Sequence, residues 1–497
     1  IRAHNCERTV TCHYHANGKV QQVNQGHWLL TYGYNYRGQR EQLKLPDGSI
    51  IGYQYDQQGQ MIQLDYCFPE SKQVHCLFKR NYTKSGYVQR QVQGNGIVLE
   101  QSFDAFSRLS SQKWQKKNTK NSKIMTFCES RFYQYNKTHQ LINHQQQFIQ
   151  DKKTIKHEQV FSYNCLSQLI NVDMTCFEQA SEQCSEQSFD NSEPQYKIAY
   201  HWDSFGNPLT KSSIESISET DAVKQDRLVS LLHTDYQYDD SGNQISSLAQ
   251  GAKQRRNFDG LNQLKQLNFN ECLTHYEYDA LGRRSAKITE QGRIDFLWDG
   301  EQLIGEHQNG RYIWYIFLPD SFEPIALIKR GSLYYYHLDQ LGTPVCLTDQ
   351  SGEQVWRNFH DAFGHSSMKD ESGLAPTNMI DNPIRFQGQY YDEESGLHYN
   401  RFRYYCPKQR RFIHQDPLGL VGGINPYQYT VNPVNEIDPF GLQCKENKLA
   451  SKDFSIHRAL TPELDDISQD KILATVVLAG LNGQDLQRYI STPDLDK

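Results

Sequence analysis

Two copies of one short acidic motif near the end of the sequence could do hydrolytic chemistry. Asp416 and Asp438 each open an Asp-Pro-x-Gly-Leu motif, and the two aspartates stand 22 residues apart. Two neighbouring carboxylates repel each other when both are ionised, so they share a proton near neutral pH. The ionised member can take a proton from water while the protonated member donates to a peptide carbonyl. Asp-Pro-x-Gly is also an ordinary turn motif, and from residue types alone the turn is favoured.

A histidine and a cysteine beside the first motif suggest a second kind of chemistry. His414 lies two residues before Asp416, and Cys406 with His414 is a conceivable thiol dyad. No Ser or Cys nucleophile stands at a recognisable elbow, and Cys406 follows an aromatic stretch. We therefore expect Cys406 to pack in the interior.

A group of histidines and cysteines near the N-terminus could bind zinc: His4, Cys6, Cys12, His13 and His15. Structural zinc sites usually carry paired ligands such as CxxC, and none of the 12 cysteines forms that pair. We therefore expect no metal and no cofactor. The cysteines are interpreted as mostly free thiols of a protein made in a reducing compartment.

A repeat along the chain predicts the elements that must position these residues. Its signature is aromatic-x-aromatic-Asp with Gly three residues later, and it is clearest at Tyr53–Asp56, Tyr236–Asp239 and Tyr276–Asp279. Four aspartates recur with a period of 20: Asp239, Asp259, Asp279 and Asp299. A fixed period of this size with constant turn chemistry indicates an array of one supersecondary unit.

Each repeat unit predicts a β-hairpin. Tyr-x-Tyr has period 2 and places both rings on one face of a strand, after which Asp closes a turn and Gly supplies a positive φ. A single hairpin is marginal in water, so neighbouring units must share one sheet. Tyrosines on strands could also bind sugars or ions. A motif repeated so often is better explained by packing than by many ligand sites.

Composition excludes several classes of protein. The chain of 497 residues is 37% hydrophobic and 12% aromatic, which argues against disorder over most of its length. Its net charge is -6, so it lacks the basic footprint of a nucleic-acid-binding shell. No stretch approaches the roughly 18 apolar residues of a membrane-spanning helix. Because residue 1 is Ile rather than Met, we expect a fragment or a processed product.

The repeat resembles the YD repeat of Rhs proteins, of the C components of Tc toxins and of teneurins. The stretch from Arg385 to Leu442 is more specific, and it resembles the Rhs-associated core domain almost residue for residue. The resemblance implies an all-β fold in which YD-repeat hairpins spiral into a hollow shell around a toxin polypeptide. It divides the chain into shell repeats at 1–334, a core domain at 335–442 and the first part of a variable toxin domain at 443–497.

In that family the core domain is an intramolecular aspartyl protease. The resemblance therefore implies that Asp416 and Asp438 are catalytic and that the chain is cut between Leu442 and Gln443. A tethered substrate loses little entropy on reaching such a site. Residues of the two motifs are expected to support it: Gln415, Pro417, Gly419, Pro439 and Gly441.

One position departs from the family pattern. Some relatives carry Arg before the first catalytic aspartate, whereas this chain has Gln415, which can hydrogen-bond but brings no charge. We expect Arg411 or Arg401 to supply the missing positive charge.

The resemblance also implies partners and a route. The expected partners are the protein's own C-terminal toxin, a cognate immunity protein, and either a secretion spike of the VgrG/PAAR type or Tc-toxin components. The protein would be made in the bacterial cytoplasm, secreted, for example by type VI secretion, and delivered into target cells in interbacterial competition. The alternatives are a YD-repeat scaffold that does not cleave itself and a sugar-binding array.

The last 55 residues, 443–497, change in pattern. The YD signature is lost, Thr461–Glu463 predicts a helix start, and Ile472–Leu478 gives a helical apolar face. We therefore expect a small α-helical C-terminal tail. Several charged residues there could belong to a nuclease, deaminase or transferase, but a solvated helix face is the simpler interpretation: His457, Arg458, Asp465, Asp466 and Asp470. The sequence does not identify the toxic activity.

Overall fold

The computed structural model describes residues 1–69, 73–117, 125–150, 153–179, 196–209, 222–249, 252–366 and 377–442. Within these ranges the chain is built from antiparallel β-strands that pair with their neighbours in chain order. The one helical segment among the described residues is a 3-10 turn at Gly419–Val421.

The first sheet has 16 strands. They are β1 Arg2–Ala3, β2 Val10–Tyr14, β3 Val20–Gln25, β4 Trp28–Tyr34, β5 Arg40–Lys44, β6 Ile50–Tyr55, β7 Met61–Cys67, β8 Val74–Tyr82, β9 Val88–Gln93, β10 Val98–Phe103, β11 Leu109–Lys117, β12 Met125–Tyr135, β13 Leu141–Gln150, β14 Lys153–Tyr163, β15 Leu169–Gln179 and β16 Tyr196–Ala199. Two short hairpins follow, β17 His201–Trp202 with β18 Pro208–Leu209, and β19 Val223–Lys224 with β20 Arg227–Leu228.

The second sheet has 15 strands, and a third sheet of four strands follows it. The second sheet contains β21 Ser230–Leu231, β22 Thr234–Tyr238, β23 Gln244–Ala249, β24 Ala252–Phe258, β25 Leu264–Phe269, β26 Cys272–Tyr278, β27 Arg284–Thr289, β28 Gly292–Asp299, β29 Gln302–Gln308, β30 Arg311–Phe317, β31 Pro324–Lys329, β32 Ser332–Leu338, β33 Pro344–Thr348, β34 Gln354–Arg357 and β35 Thr377–Asn378. The third contains β36 Tyr390–Asp392, β37 Leu397–Asn400, β38 Arg403–Cys406 and β39 Arg411–Phe412.

The turns at the repeat signature share one hydrogen-bond pattern. In the turn after β26, Asp279 Oδ1 accepts the N–H groups of Leu281 and Arg283 at 2.9 and 3.0 Å, and Gly282 has a φ of 71°. Asn35 makes the same pair of bonds in the turn after β4. The side-chain oxygen satisfies N–H groups that the turn leaves without backbone partners. The predicted role of the repeat aspartates in turns is therefore confirmed.

Neighbouring turns are tied together by the residue four positions after the Asp or Asn. Gln39 Nε2 donates to the Gly59 carbonyl at 3.1 Å, and Arg283 Nη1 donates to the Gly300 carbonyl at 2.7 Å. Each such bond links one turn to the next along the same edge of the sheet. The repeat thus fixes both the hairpin and its spacing from the next hairpin.

The first two sheets pack on each other through apolar side chains. Leu30 of β4 and Leu297 of β28 belong to the same buried cluster. Hydrogen bonds also cross the contact, since Gln25 Nε2 donates to the Trp298 carbonyl at 2.6 Å. Burial of this shared face supplies the stabilisation that an isolated hairpin lacks.

A buried ion group joins the sheets at a second place. Glu129 of β12 pairs with Arg131 on its own strand and with Arg357 of β34, the latter at 2.6 Å. Burial alone would raise the pKa of Glu129, but the two arginines outweigh it and hold that pKa well below its ordinary value. Glu129 is therefore held as a carboxylate, and it links two arginines where the sheets meet.

The all-β fold of large antiparallel sheets predicted from the repeat is confirmed. The predicted α-helical tail lies outside the described residues. The predicted boundary between residues 334 and 335 falls within β32, and the division into three domains stays a prediction. Seven cysteines in the described ranges are free thiols: Cys6, Cys67, Cys76, Cys165, Cys272, Cys346 and Cys406.

Candidate active site

The third sheet and the loops around it bring the two Asp-Pro-x-Gly motifs together. Asp416 follows β39 by four residues, and Asp438 lies in the last described loop. Both side chains are buried. A buried carboxylate needs a positive partner or hydrogen-bond donors, which directs attention to the residues that surround the pair.

Arg403, the first residue of β38, bridges the two carboxylates. Its Nη2 atom lies 3.1 Å from Asp416 Oδ2 and 3.4 Å from Asp438 Oδ2. The guanidinium is fully buried and lies over the Phe412 ring at 3.7 Å. Burial lowers the pKa of Arg403, while the two carboxylates act to raise it. One cation thus faces two acids, an arrangement in which one acid can keep its proton.

The same arginine holds the chain just before the expected cut. Its Nε donates to the Gly441 carbonyl, and its Nη1 donates to the Pro426 carbonyl at 3.0 Å. On the other side of that peptide group, Asp438 Oδ1 accepts the Leu442 N–H at 2.8 Å. The peptide group between Gly441 and Leu442 is therefore bound at both its C=O and its N–H.

The surroundings of Asp438 favour its protonated form. Burial raises the pKa of Asp438 to about 6, and the neighbouring Asp416 acts in the same direction, against the lowering effect of Arg403 and the Leu442 N–H. Its backbone carbonyl is fixed by Asn400 Nδ2 at 2.7 Å. An aspartate in this state can serve as a general acid close to neutral pH.

Asp416 is fixed by its own loop. Its Oδ1 accepts the Leu418 N–H at 2.8 Å, and its N–H donates to the Pro426 carbonyl at 2.8 Å, which closes the loop between residues 416 and 426. Gly422 lies directly against the carboxylate, because a Cβ placed there would be 2.5 Å from Asp416 Oδ2. The site therefore has no room for a side chain at position 422.

The expected supporting residues differ in what they do. Gly441 has a φ of 69°, and a Cβ there would lie 2.6 Å from the Asn400 carbonyl, so only glycine fits without displacement. Gly419 has a φ of 58° in the turn after Asp416 and Pro417. The Pro439 backbone packs closely against Gly388. A Cβ on residue 388 would overlap the Pro439 carbonyl.

Gln415 does not point into the acid pair. It is exposed, and its amide lies beside Gly242, where Tyr427 also donates to the glycine carbonyl at 2.8 Å. The other half of the expected cleavage site, Gln443, lies outside the described residues, whereas Leu442 is described and partly buried.

The expectation that Arg411 or Arg401 supplies the positive charge is wrong. Arg411 Nη1 donates to Asn207 at 3.0 Å, and Arg401 pairs with Glu301. Arg403 takes the role instead. The sequence contained one sign of it, because an arginine inside a buried aromatic strand must have a partner, and Asp416 is the first acid that follows it.

The thiol dyad finds no support in the geometry. His414 is buried, its Nε2 accepts the Tyr404 N–H at 3.1 Å, and burial lowers its pKa to about 3. Burial also raises the pKa of the Cys406 thiol, which disfavours the nucleophilic thiolate. Both residues pack as the sequence predicted for Cys406.

β38 rests on an unusual support. The guanidinium of Arg284 is fully buried and lies within 6 Å of five aromatic ring centroids: Tyr276, Phe296, Tyr390, Tyr399 and Tyr404. It pairs with the buried Asp392 of β36. The group connects the second sheet to the strand that carries Arg403, and sequence reasoning missed it because its members come from six separate strands.

The N-terminal histidines and cysteines do not assemble. In the described ranges no group of three or more His, Cys, Asp or Glu is placed to hold a metal ion. His4 Nδ1 instead forms a hydrogen bond with Thr9 Oγ1 at 2.6 Å, and the His15 ring packs edge-on against Tyr34. The described helical segment is also too short to cross a membrane.

Comparison with known proteins finds sequence similarity to the proteins that the repeat and the core segment resemble. The family model described as RHS protein matches residues 333–367. Double-stranded DNA deaminase toxin A of Burkholderia cenocepacia is 33% identical over 277 residues, which cover 49% of this chain and 19% of that protein. Toxin protein Tse5 of Pseudomonas aeruginosa is 33% identical over 251 residues, which cover 42% of this chain and 18% of that protein.

Solved structures share the fold. The crystal structure of TcdB2-TccC3-TEV matches with a TM-score of 0.64 at 15% identity and covers 89% of this chain and 24% of that one. The chain thus spans about a fifth of the length of the two curated relatives and about a quarter of the solved chain. The chain is therefore similar to RHS proteins in sequence over part of its length, and it shares its fold with the solved Tc-toxin structure.

Proposed function

We propose that residues 1–442 form the shell and the self-cleaving core of a polymorphic toxin effector, and that this core cuts the chain between Leu442 and Gln443. The observation that carries this proposal is the position of Arg403, which contacts both carboxylates and the Gly441 carbonyl. A pair of ordinary turns needs no shared buried cation. The contact therefore favours an acid pair that acts on the adjoining chain over two separate turn motifs.

In the proposed reaction Asp416 is the base and Asp438 is the acid. The raised pKa of Asp438, about 6, lets it hold a proton. Asp416 lies nearer Arg403, and its Oδ1 accepts the Leu418 N–H, so its side chain is held in place beside the cation. Both acids are buried, so few waters compete for these contacts.

The reaction then follows from these roles. Asp416 takes a proton from a water molecule, the water oxygen adds to the Leu442 carbonyl carbon, and Asp438 gives its proton to the carbonyl oxygen. When the tetrahedral intermediate collapses, the C–N bond breaks, the Gln443 nitrogen receives the proton held by Asp416, and a hydroxyl proton returns to Asp438. Arg403 is a positioning residue that keeps the two acids and the chain in register.

We further propose that the residues after Leu442 belong to the toxin that the shell encloses and the cut frees. The toxin names of the two relatives and the shell-like fold support this. An immunity protein that neutralises the toxin, and delivery by a secretion spike or by Tc-toxin components, complete the proposal. The toxic activity itself is left unassigned, because relatives carry different ones: one is named a deaminase toxin and another a probable deoxyribonuclease.

Intact-mass spectrometry of the purified chain tests the cut. The wild-type chain is expected as two fragments, one ending at Leu442 and one beginning at Gln443, whereas Asp416→Asn and Asp438→Asn each give a single uncut chain. Asp56→Asn is the matched control, because asparagine already holds the equivalent turn at Asn35, and this variant is expected to be cut like the wild type.

Two other outcomes are informative. A cut between Gly441 and Leu442, the peptide group held by Arg403 and Asp438, would shift both fragment masses by one leucine and move the proposed bond by one position. An uncut wild-type chain would overturn the proposal and favour the scaffold that does not cleave itself.

A further inference from the structure

Three large apolar side chains stand exposed on the loop that carries Asp416. Leu420, Val421 and Ile424 have exposed fractions of 82%, 70% and 74%. Phe205, 57% exposed, lies on a turn that is tied to this loop, because Asn425 Nδ2 donates to the Phe205 carbonyl at 3.1 Å. Single exposed apolar residues are common on proteins, but a group of four usually marks a contact surface.

The loop presents these side chains in a fixed conformation. Its ends are joined by the Asp416 N–H to Pro426 carbonyl bond at 2.8 Å, and the Gly419 N–H donates to the Asp416 carbonyl at 2.9 Å. Gly422 faces inward against the Asp416 carboxylate. The apolar residues on either side of Gly422 therefore face outward because the inner side of the loop is filled by the acid.

We propose that this surface, Leu420, Val421, Ile424 and Phe205, is the docking site for the apolar run Ile472–Leu478 of the chain's own C-terminal region. The last described residue, Leu442, has its N–H bound to Asp438, and Asp438 shares Arg403 with Asp416 of this loop. The inference rests on the proposed function only in that the docked segment belongs to the part the cut would free.

The composition of the C-terminal region supplies the reason for docking. Residues 443–497 contain one long apolar run, Ile-Leu-Ala-Thr-Val-Val-Leu at Ile472–Leu478. A piece of about 55 residues buries only a modest share of its apolar surface by itself. Roughly 30 residues separate Gln443 from Ile472, which is ample for the run to return to a loop beside Leu442.

The expected consequence is that the run is shielded by the loop before the chain is cut. The aliphatic side chains of Ile472–Leu478 would bury apolar surface against the four exposed residues of the docking surface. Because the segment is covalently linked to the core, the contact is intramolecular and a modest buried area suffices to hold it. The contact would hold the C-terminal region in place near the acid pair.

Photo-crosslinking in the full chain tests the proposal. A benzophenone amino acid is placed at Leu420 in the uncut Asp438→Asn chain, and crosslinked peptides are identified by mass spectrometry. Crosslinks to peptides that contain Ile472–Leu478 within one chain are expected. The matched control carries the same probe at Phe106, which is similarly exposed on a turn of the first sheet and is expected to give none of these crosslinks.

A second measurement does not depend on the probe. In the same Asp438→Asn chain, the triple variant Leu420→Ser, Val421→Ser, Ile424→Ser changes only exposed side chains and should fold. Amide hydrogen exchange over 472–478 is expected to rise by about tenfold or more. The control variant Phe106→Ser, Leu166→Ser is expected to leave that exchange unchanged.

Several outcomes would overturn the inference: crosslinks from position 420 to a second copy of the chain or to other shell peptides, no crosslink at all, or unchanged exchange in the triple variant. The cut is read separately from the intact mass of the wild-type chain. Docking without a cut would overturn the proposed function alone, and a cut without docking would overturn this inference alone.

Discussion

Asp438 Oδ1 accepts the backbone N–H of Leu442 at 2.8 Å, across a turn in which Gly441 adopts a φ of 69°. The acid is thus bound to the residue that precedes the expected cut, and both belong to one short stretch of chain. Such a substrate is always at its site, so the reaction needs no encounter between molecules. The geometry makes the proposed cut an event within one chain.

The first prediction concerns concentration. The rate constant of the cut is expected to stay the same when the protein is diluted about a hundredfold, because the reaction is first order. Wild-type chain added to the uncut Asp438→Asn chain is expected to leave that variant whole. Gel densitometry over time measures both. Cleavage of the variant by added wild-type protein would contradict the intramolecular geometry.

The second prediction concerns Arg403. Arg403→Lys keeps a positive charge but cannot reach both carboxylates, the Gly441 carbonyl and the Pro426 carbonyl at once, so the rate of the cut is expected to fall by about 100-fold or more. The matched control is Arg401→Lys, which lies on the same hairpin but pairs with Glu301. This control is expected to cut within about threefold of the wild-type rate.

The third prediction concerns pH. Because the pKa of Asp438 is raised to about 6, its protonated fraction falls as pH rises through that value, and the rate should fall by about tenfold per unit well above it. The chain is purified unfolded and the cut is begun by dilution into buffers between about pH 4 and about pH 8. A rate that rises steadily up to pH 8 would show that Asp438 is not the general acid.

The same shift predicts a change in stability. The folded pKa of Asp438 lies above its ordinary value of 3.8, so the folded state holds the proton more tightly, and stability is lost as pH rises from about 4 through about 6. Asp438→Asn removes this loss while keeping an oxygen that can accept the Leu442 N–H. The variant is expected to be more stable than an uncut Asp416→Asn chain near pH 7, by denaturant midpoint.

The fourth prediction is steric. Gly422 has an ordinary helical φ of -68°, so alanine suits its backbone, but the added Cβ would lie 2.5 Å from Asp416 Oδ2. Gly422→Ala is therefore expected to slow the cut by about tenfold to a hundredfold by displacing the carboxylate. Gly260→Ala is the control, because no atom lies within 4 Å of the added Cβ. Equal rates for the two variants would show that Asp416 tolerates displacement.

The fifth prediction concerns the support beneath β38. Arg284→Met, made in the uncut Asp438→Asn chain, leaves the buried Asp392 with Lys287 as its remaining cation at 3.3 Å. The change is expected to destabilise the fold by about 3–5 kcal/mol. Adding Asp392→Leu should recover part of this loss, because no unpaired charge then remains. Urea denaturation followed by tryptophan fluorescence measures both, and an Arg284→Met chain as stable as its parent would contradict the role of the pair.

The repeat predicted most of the fold because its chemistry is local. Asp279 and Gly282 determine their turn through bonds within five residues, so the sequence spacing alone indicates the strands on either side. The acid pair was predicted from the resemblance rather than from spacing, since Asp416 and Asp438 meet only through the third sheet. Arg403 and Arg284 were missed because their partners come from distant strands, and no period in the sequence marks them.

The described contacts that hold the peptide group before the expected cut come from Arg403, Asn400, Asp438 and the turn at Gly441, all of which precede the bond. Under the proposed function, a recombination event that exchanged everything after Leu442 would leave this machinery intact. One shell could in that way be inherited with a succession of unrelated cargoes, each severed at the same leucine, which would free the cargo from selection to preserve its own release site.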